Sequence, residues 1–135
     1  MLVEVTFNQK CPEKFSETTT AIKSMIDAMG DKMVVGAGTV ITTVQAELAH
    51  SAGAQFIVSP DTDEEVIKRT VALGMVSLPG AYTASESKKA HNAGADFVKL
   101  FPCSDASYIK ALRAPLSHRN SSPLAELQWK TLPIL

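Results

Sequence analysis

Cysteine is almost absent from this sequence. Cys11 and Cys103 are the only two in 135 residues, too few for a disulfide framework and without metal-ligand spacing. Two free thiols in a reducing compartment follow, and with them a cytoplasmic location. No apolar run approaches the ~20 residues that span a bilayer, and no basic stretch leading into an apolar one marks the N-terminus as a leader. Neither sign of charge dominates either. Thirteen Lys and Arg face fourteen Asp and Glu, a formal net charge of -1, and no basic cluster is longer than Lys88-Lys89. Nucleic acid and membrane surfaces are therefore not expected partners, whereas a small acidic metabolite held by a few local cations is compatible with this balance.

What the sequence does contain is an alternation. Leu2 to Phe7, Met33 to Gly38, Gln55 to Ser59, Met75 to Leu78 and Asp96 to Phe101 are short, apolar and rich in β-branched residues, and read as five strands. Between them the period becomes helical. Phe15, Ile22, Met25, Ile26 and Met29 fall on one apolar face, as do Val66, Ile67, Thr70 and Val71. Thr42 with Gln45, Thr62 with Glu65 and Thr83 with Glu86 each fit a capping box at a helix start. Gly30, Gly53, Gly74 and Gly94 stand where helices commonly end in left-handed backbone.

The run from Ala49 to Ile57 returns, little changed, from Ala90 to Val98, two strand-helix units later. A repeated helix, Ala-Gly-Ala turn and strand, with no two-residue hairpin turns, implies parallel strands joined by crossovers. His50 and His91 belong to that repeat and take a packing or helix-dipole role. The expected fold is α/β with the sheet covered by helices, as a (β/α) barrel or an open doubly wound sheet. The length falls short of the roughly 200 residues of a complete eight-unit barrel. After Leu116 the alternation stops, so residues 1–116 form the expected domain, and 117–135, with Pro123, Trp129 and Pro133, an irregular tail.

In parallel α/β folds, ligands lie beyond the carboxyl ends of the strands. The polar residues there include Glu4, Thr39, Ser59 and Lys99. Lys99 is the anomaly, a cation inside Phe97-Val98-Lys99-Leu100-Phe101. Burial disfavours its charge and frees a nucleophilic amine for imine formation with a ketone. By the two-residue strand period, Lys99 shares a face with Phe97 and Phe101, while Val98 and Leu100 turn to the helices. Glu4, equally out of place in Leu2-Val3-Glu4-Val5, is the candidate proton carrier. A buried ion pair explains the two residues equally well. Gly36-Ala37-Gly38-Thr39 reads as a tight turn, or as a close backbone approach that lets Thr39 bind a carboxylate; it is no dinucleotide fingerprint.

In order along the chain, Val3-Glu4-Val5-Thr6, Gly36-Ala37-Gly38-Thr39-Val40, the stretch from Ala52 to Pro60, Leu78-Pro79-Gly80, the stretch from Gly94 to Pro102, and Tyr108 to Arg113 resemble the 2-keto-3-deoxy-6-phosphogluconate and 4-hydroxy-2-oxoglutarate aldolase family. The resemblance implies a partial TIM (β/α)8-type barrel of about five βα units with parallel strands. It implies class I aldol cleavage of a 2-keto-4-hydroxy acid to pyruvate and an aldehyde, with no metal or organic cofactor. Lys99 matches the Schiff-base lysine, Glu4 the proton-shuttling glutamate and Thr39 a contact to the pyruvate-derived carboxylate; Pro60 and Phe101 match residues lining the pocket. A homotrimer is implied as well. Asn8 stands where well-known members carry an arginine, which removes one cation for the substrate carboxylate.

By the same resemblance the chain is truncated at both ends. It begins at what looks like the second strand and departs from the family around His118, before the strands that supply a phosphate site. Weak binding of phosphorylated substrates is expected, together with instability or association through unpaired edges. A frameshifted origin is expected for the tail, to be checked by sequencing the surrounding DNA. Two other readings stand beside the aldolase: a non-catalytic α/β remnant or interaction module, and a different lysine-dependent 2-keto acid lyase such as an oxaloacetate decarboxylase.

Overall fold

The computed structural model describes residues 1–102 and 105–116. Cys103 and the expected tail at 117–135 lie outside the described residues. Strand β1 (Leu2–Thr6) is followed by a single 3-10 turn (Pro12–Lys14) and helix α1 (Phe15–Met29). Then come β2 (Val34–Gly38), α2 (Thr43–Ser51), β3 (Phe56–Val58), α3 (Glu64–Ala72), β4 (Val76–Leu78), β5 (Gly80–Ala81), α4 (Ala84–Asn92), β6 (Lys99–Leu100) and α5 (Ala106–Leu116). Strands β1 to β4 pair in sequence order and all in parallel, as do β5 and β6. The two ladders make one arc, because Lys99 N–H donates to the Pro79 carbonyl and both Asp96 and Phe97 donate to the Ser77 carbonyl. The described residues adopt a partial barrel of five βα units with parallel strands.

The fourth expected strand ends at Leu78 as read, one residue shorter at its start, and is followed by a short strand that sequence reading did not expect. Pro79 has no N–H to give to the ladder, so β4 stops and β5 resumes one residue later. The fifth is shorter than Asp96 to Phe101. The Asp96 carboxylate accepts from Ser77 N–H at 2.9 Å, a side chain standing in for the backbone, and regular pairing starts only at Lys99.

Helix starts depart from expectation in the same local way. Thr83 and Glu86 complete the reciprocal box. At α3, however, Asp63 is the cap and accepts from Glu65 and Val66, while the Thr62 hydroxyl donates to the Gly80 carbonyl at 2.6 Å. At α2 only half the box forms: Thr42 Oγ1 accepts from Gln45 N–H, and the Gln45 side chain goes elsewhere. Gly53, Gly74 and Gly94 take positive φ as expected. Gly30 does not; its φ of -63° continues α1.

The helix faces are narrower than the sequence patterns suggest. Ile22 is buried, with Phe15 and Ile26 against it, but Met25 and Met29 are exposed; on α3, Val66, Ile67 and Thr70 are buried and Val71 is not. An outer layer of Val35, Ala37 and Ile57 packs between strands and helices. Edge-on contact of the Phe7 and Phe15 rings, with centroids 5.1 Å apart, ties the end of β1 to the start of α1. On the inner, concave face, Phe56, Val58, Leu78 and Phe97 form their own cluster. Gly36 exists to admit the Phe56 ring: a Cβ there would stand 2.5 Å from it. Val98 joins Ile67, Ala81 and Ala90 on the opposite face, so the two-residue alternation around Lys99 is as read from the sequence. Toward the N-terminal ends of the strands the inner face opens into a concavity of about 570 Å³ that includes Leu2, Val34 and Val76.

Among the described residues, no helix is long and apolar enough to cross a membrane.

Candidate active site

Alternation along β1 sends Val3 and Val5 outward and Glu4 inward, opposite Gly36 in the ladder. Alternation along β6 sends Lys99 inward, opposite Gly80. Two isolated charges from the two ends of the arc thus face one interior, and each acts on the other. Burial raises the Glu4 carboxyl above its usual 4.5, with the attraction of Lys99 opposing it in part. Burial likewise lowers the Lys99 ammonium below 10.5, with Glu4 opposing. Desolvation prevails at both, which puts a more basic carboxylate and a more readily neutral amine on the same inner face. They form no ion pair within 4.0 Å; the four such pairs among the described residues lie on the outer helices. One Glu4 oxygen, Oε2, is buried without a hydrogen-bond partner, a costly state for a group with only a structural job.

The carboxyl lies directly over β2. A Cβ at Gly38 would stand 2.8 Å from Glu4 Cδ and 2.9 Å from each oxygen, so a side chain there must push the carboxyl from its place. Gly38→Ala is expected to displace the Glu4 carboxyl toward solvent and so to bring its raised pKa back down, as followed by NMR titration. A carboxyl titration unchanged from the parent would show that the contact is immaterial.

The remaining predicted residues are arranged unevenly. Phe101 lies beneath the lysine, with Nζ 4.5 Å from the ring centroid, a cation–π contact when the amine is charged and an apolar wall when it is not. Pro60 reaches the same region through its carbonyl, which packs so close to Gly80 that a Cβ there would lie 2.2 Å away. Thr39 closes β2 with φ 54°, the one non-glycine residue at positive φ among those described. For a β-branched residue that backbone costs about 1–3 kcal/mol and is met mainly where the surroundings enforce it. Asn8 is not aimed at the lysine: its exposed side chain accepts from Lys10 N–H within its own turn. His50 and His91 lie on the outer helices, at their last turns.

Sequence reading missed Gln9 altogether and read Gln45 only as a helix cap. The Gln9 amide donates to the Thr39 carbonyl at 2.6 Å and accepts from buried Gln45 at 2.8 Å. No local pattern could have signalled a contact between residues 36 apart.

Among the described residues, no three His, Cys, Asp or Glu cluster in a way that could hold a metal. A hollow of about 410 Å³ between α3 and α4, bounded by Lys68, Lys88 and Lys89, contains none of the groups above.

Comparison with known proteins gives this arrangement its context. The family model for KDPG and KHG aldolases matches residues 1–124. The 2-dehydro-3-deoxy-6-phosphogalactonate aldolase of Escherichia coli K12 is 45% identical over 98 residues, which are 71% of this chain and 48% of that protein. Among solved structures, the 2-keto-3-deoxy-6-phosphogluconate aldolase of Zymomonas mobilis ZM4 with 3-phosphoglycerate superposes with a TM-score of 0.73 at 30% identity, over 86% of this chain and 53% of that one. The KDPG aldolase of Legionella pneumophila, solved with pyruvate captured as a covalent carbinolamine, gives 0.68 at 26% identity, over 83% and 52%. The chain spans about half the length of the curated relatives it matches. With the family model covering nearly all of it and the fold agreeing, the chain belongs to the KDPG and KHG aldolase family.

Proposed function

We propose that this chain carries class I aldolase chemistry, with Lys99 as the Schiff-base residue and Glu4 as the proton carrier. The observation that carries the reading is the pair itself: two desolvated, mutually sensed charges on the concave face, one of them with an unpartnered oxygen. The carbinolamine captured in the Legionella aldolase supports the same chemistry in a relative.

The neutral amine of Lys99 adds to the C2 carbonyl of a 2-keto-4-hydroxy acid, and the carbinolamine takes up a proton from solvent and loses water to give an iminium. The Glu4 carboxylate takes the proton of the C4 hydroxyl as the C3–C4 bond breaks, and the bond's electrons pass into the iminium. Aldehyde leaves and an enamine remains. Protonated Glu4 returns the proton to C3, and water hydrolyses the resulting iminium to free pyruvate and neutral Lys99, releasing the proton taken up at dehydration. A carboxyl raised above 4.5 is suited to both directions of that transfer. Thr39 holds the carboxylate end of the substrate, while Phe101 and Pro60 wall the pocket. Asn8 supplies no cation. The substrates are 2-keto-4-hydroxy acids, with 4-hydroxy-2-oxoglutarate favoured over the phosphorylated 2-keto-3-deoxy acids for which the relatives are named.

Pyruvate release from each of these acids, and from oxaloacetate, tests the reading. Release that disappears in Lys99→Met is expected. Release from oxaloacetate alone would make the chain a decarboxylase, and a folded chain that releases nothing from any of them would leave a non-catalytic α/β module.

The amine also fixes a pH dependence. Because Lys99 holds its proton less tightly than an ordinary lysine, the neutral form accumulates at lower pH. Reductive capture of pyruvate should therefore rise with pH and reach half its plateau below 10.5; a midpoint at or above that value would contradict the buried amine.

A further inference from the structure

We infer that Gln9 and Gln45 are positioning residues for carboxylate recognition, holding Thr39 in left-handed backbone so that it presents to the keto-acid end of the substrate. The inference rests on the assignment of Thr39 to the pyruvate-derived carboxylate made above. Three hydrogen bonds hold the two peptides that flank the Thr39 Cα. Phe7 N–H donates to the Gly38 carbonyl at 3.0 Å, and Val40 N–H donates to the Val58 carbonyl at 3.2 Å. Both are main-chain bonds between strand ends. The third is Gln9 Nε2 to the Thr39 carbonyl at 2.6 Å, and it comes from a side chain.

The direction of this third bond is set from a distance. Ile41 N–H can only donate, and it donates to Gln45 Oε1 at 2.8 Å. That leaves Gln45 Nε2 to face Gln9, where it meets Oε1 at 2.8 Å. Gln9 Nε2 is then the end directed at the Thr39 and Phe7 carbonyls. The relay begins at Ile41, two residues beyond the threonine, and ends on the threonine itself. Gln45 is 2% exposed, so water does not compete for its amide. A β-branched residue at φ 54° does not hold that backbone unaided, and glycine, which would, has no hydroxyl to offer a carboxylate. The two glutamines allow a threonine to stand where the backbone geometry asks for glycine.

The test uses pyruvate as the probe and borohydride capture on Lys99 as the readout, with the pyruvate concentration at half-maximal capture separated from the limiting rate. Gln9→Ala and Gln45→Met should each raise the half-saturating concentration about tenfold and leave the limiting rate within about twofold. In a Thr39→Gly background, where left-handed backbone is free of strain, Gln9→Ala should add nothing. A generally structural glutamine would impose the same effect in both backgrounds, and that result would overturn the inference, as would single variants that bind pyruvate normally. A Thr39→Gly variant with unchanged half-saturation would remove Thr39 from the site and the relay's role with it, leaving the Schiff-base reading intact. Absence of any adduct in the parent chain would instead overturn the proposed function. In that case the carbon chemical shifts of Thr39 still decide the relay: left-handed values in the parent, lost in Gln9→Ala and Gln45→Met, support it, and values unchanged by either substitution refute it.

Discussion

Replacing Lys99 by arginine is expected to abolish covalent capture of pyruvate at every pH, although the position keeps a positive charge and a long aliphatic stem. A guanidinium is not deprotonated in proteins, so it cannot supply the neutral nitrogen that attacks a carbonyl. The role proposed for Lys99 needs that neutral nitrogen, and burial, outweighing the attraction of Glu4, favours it. The comparison separates two roles that a lysine can fill. If Lys99 only neutralised Glu4 across the interior, arginine would serve and pyruvate would be captured, if at all, on other lysines. If it is the nucleophile, arginine is as dead as alanine. Circular dichroism and thermal unfolding of Lys99→Arg guard against the trivial explanation of a collapsed fold.

Glu4→Gln should slow methyl proton exchange of pyruvate by about 10²- to 10⁴-fold, the usual range for loss of a positioned acid–base group, while an adduct on Lys99 still forms. Two further effects give the result a signature. Glu4 normally raises the pKa of Lys99 by attraction, so its removal should shift the midpoint of capture to still lower pH. The stability effect has the opposite sense to that of a lost salt bridge. Glu4 has a folded pKa above its usual 4.5, so the folded chain binds its proton more tightly than the unfolded one does. The stability this contributes is present below 4.5 and is lost as pH rises through the raised folded value. Glutamine has no proton to lose, and the variant should lack that decline when unfolding is followed from about pH 4 to 8. A Glu4→Gln variant that exchanges protons at the parent rate would move the shuttle elsewhere.

The parts of this fold that sequence reading recovers are those with a short-range signature. Period-two patterning around Lys99 sets it opposite Val98, as in the structure, because a strand turns alternate side chains to alternate faces wherever it is. The repeated Ala-Gly-Ala turns locate Gly53 and Gly94 at positive φ. What escapes is set by contacts between strands. Nothing near Gly38 in the sequence says that a carboxylate from β1 will press on its Cα, and nothing near Thr62 says that its hydroxyl will leave the helix to Asp63 and bind Gly80 instead. Gln45 is the plainest case. Its spacing from Thr42 satisfies a local rule, the local rule is half obeyed, and the side chain is spent on Ile41 and Gln9. Asn8 is legible as a missing cation but not as a turn residue, since Asx turns depend on backbone that only the fold defines.

Function divides along the same line. Leu2, Val34 and Val76 each lie more than a third exposed at the concavity, in a chain that spans about half the length of its relatives, yet Glu4 and Lys99 already face one interior. The three groups that the proposal names, the amine, the carboxyl over Gly38 and Thr39 at the end of β2, all lie among the described residues.

One measurement bears on this most directly: the intact mass of the chain after incubation with pyruvate and borohydride, followed by peptide mapping of the modified residue. A single reduced pyruvyl group on Lys99, absent from Lys99→Ala, is the expected result. A folded chain that gains no such mass, or gains it on lysines other than Lys99, would contradict the Schiff-base assignment.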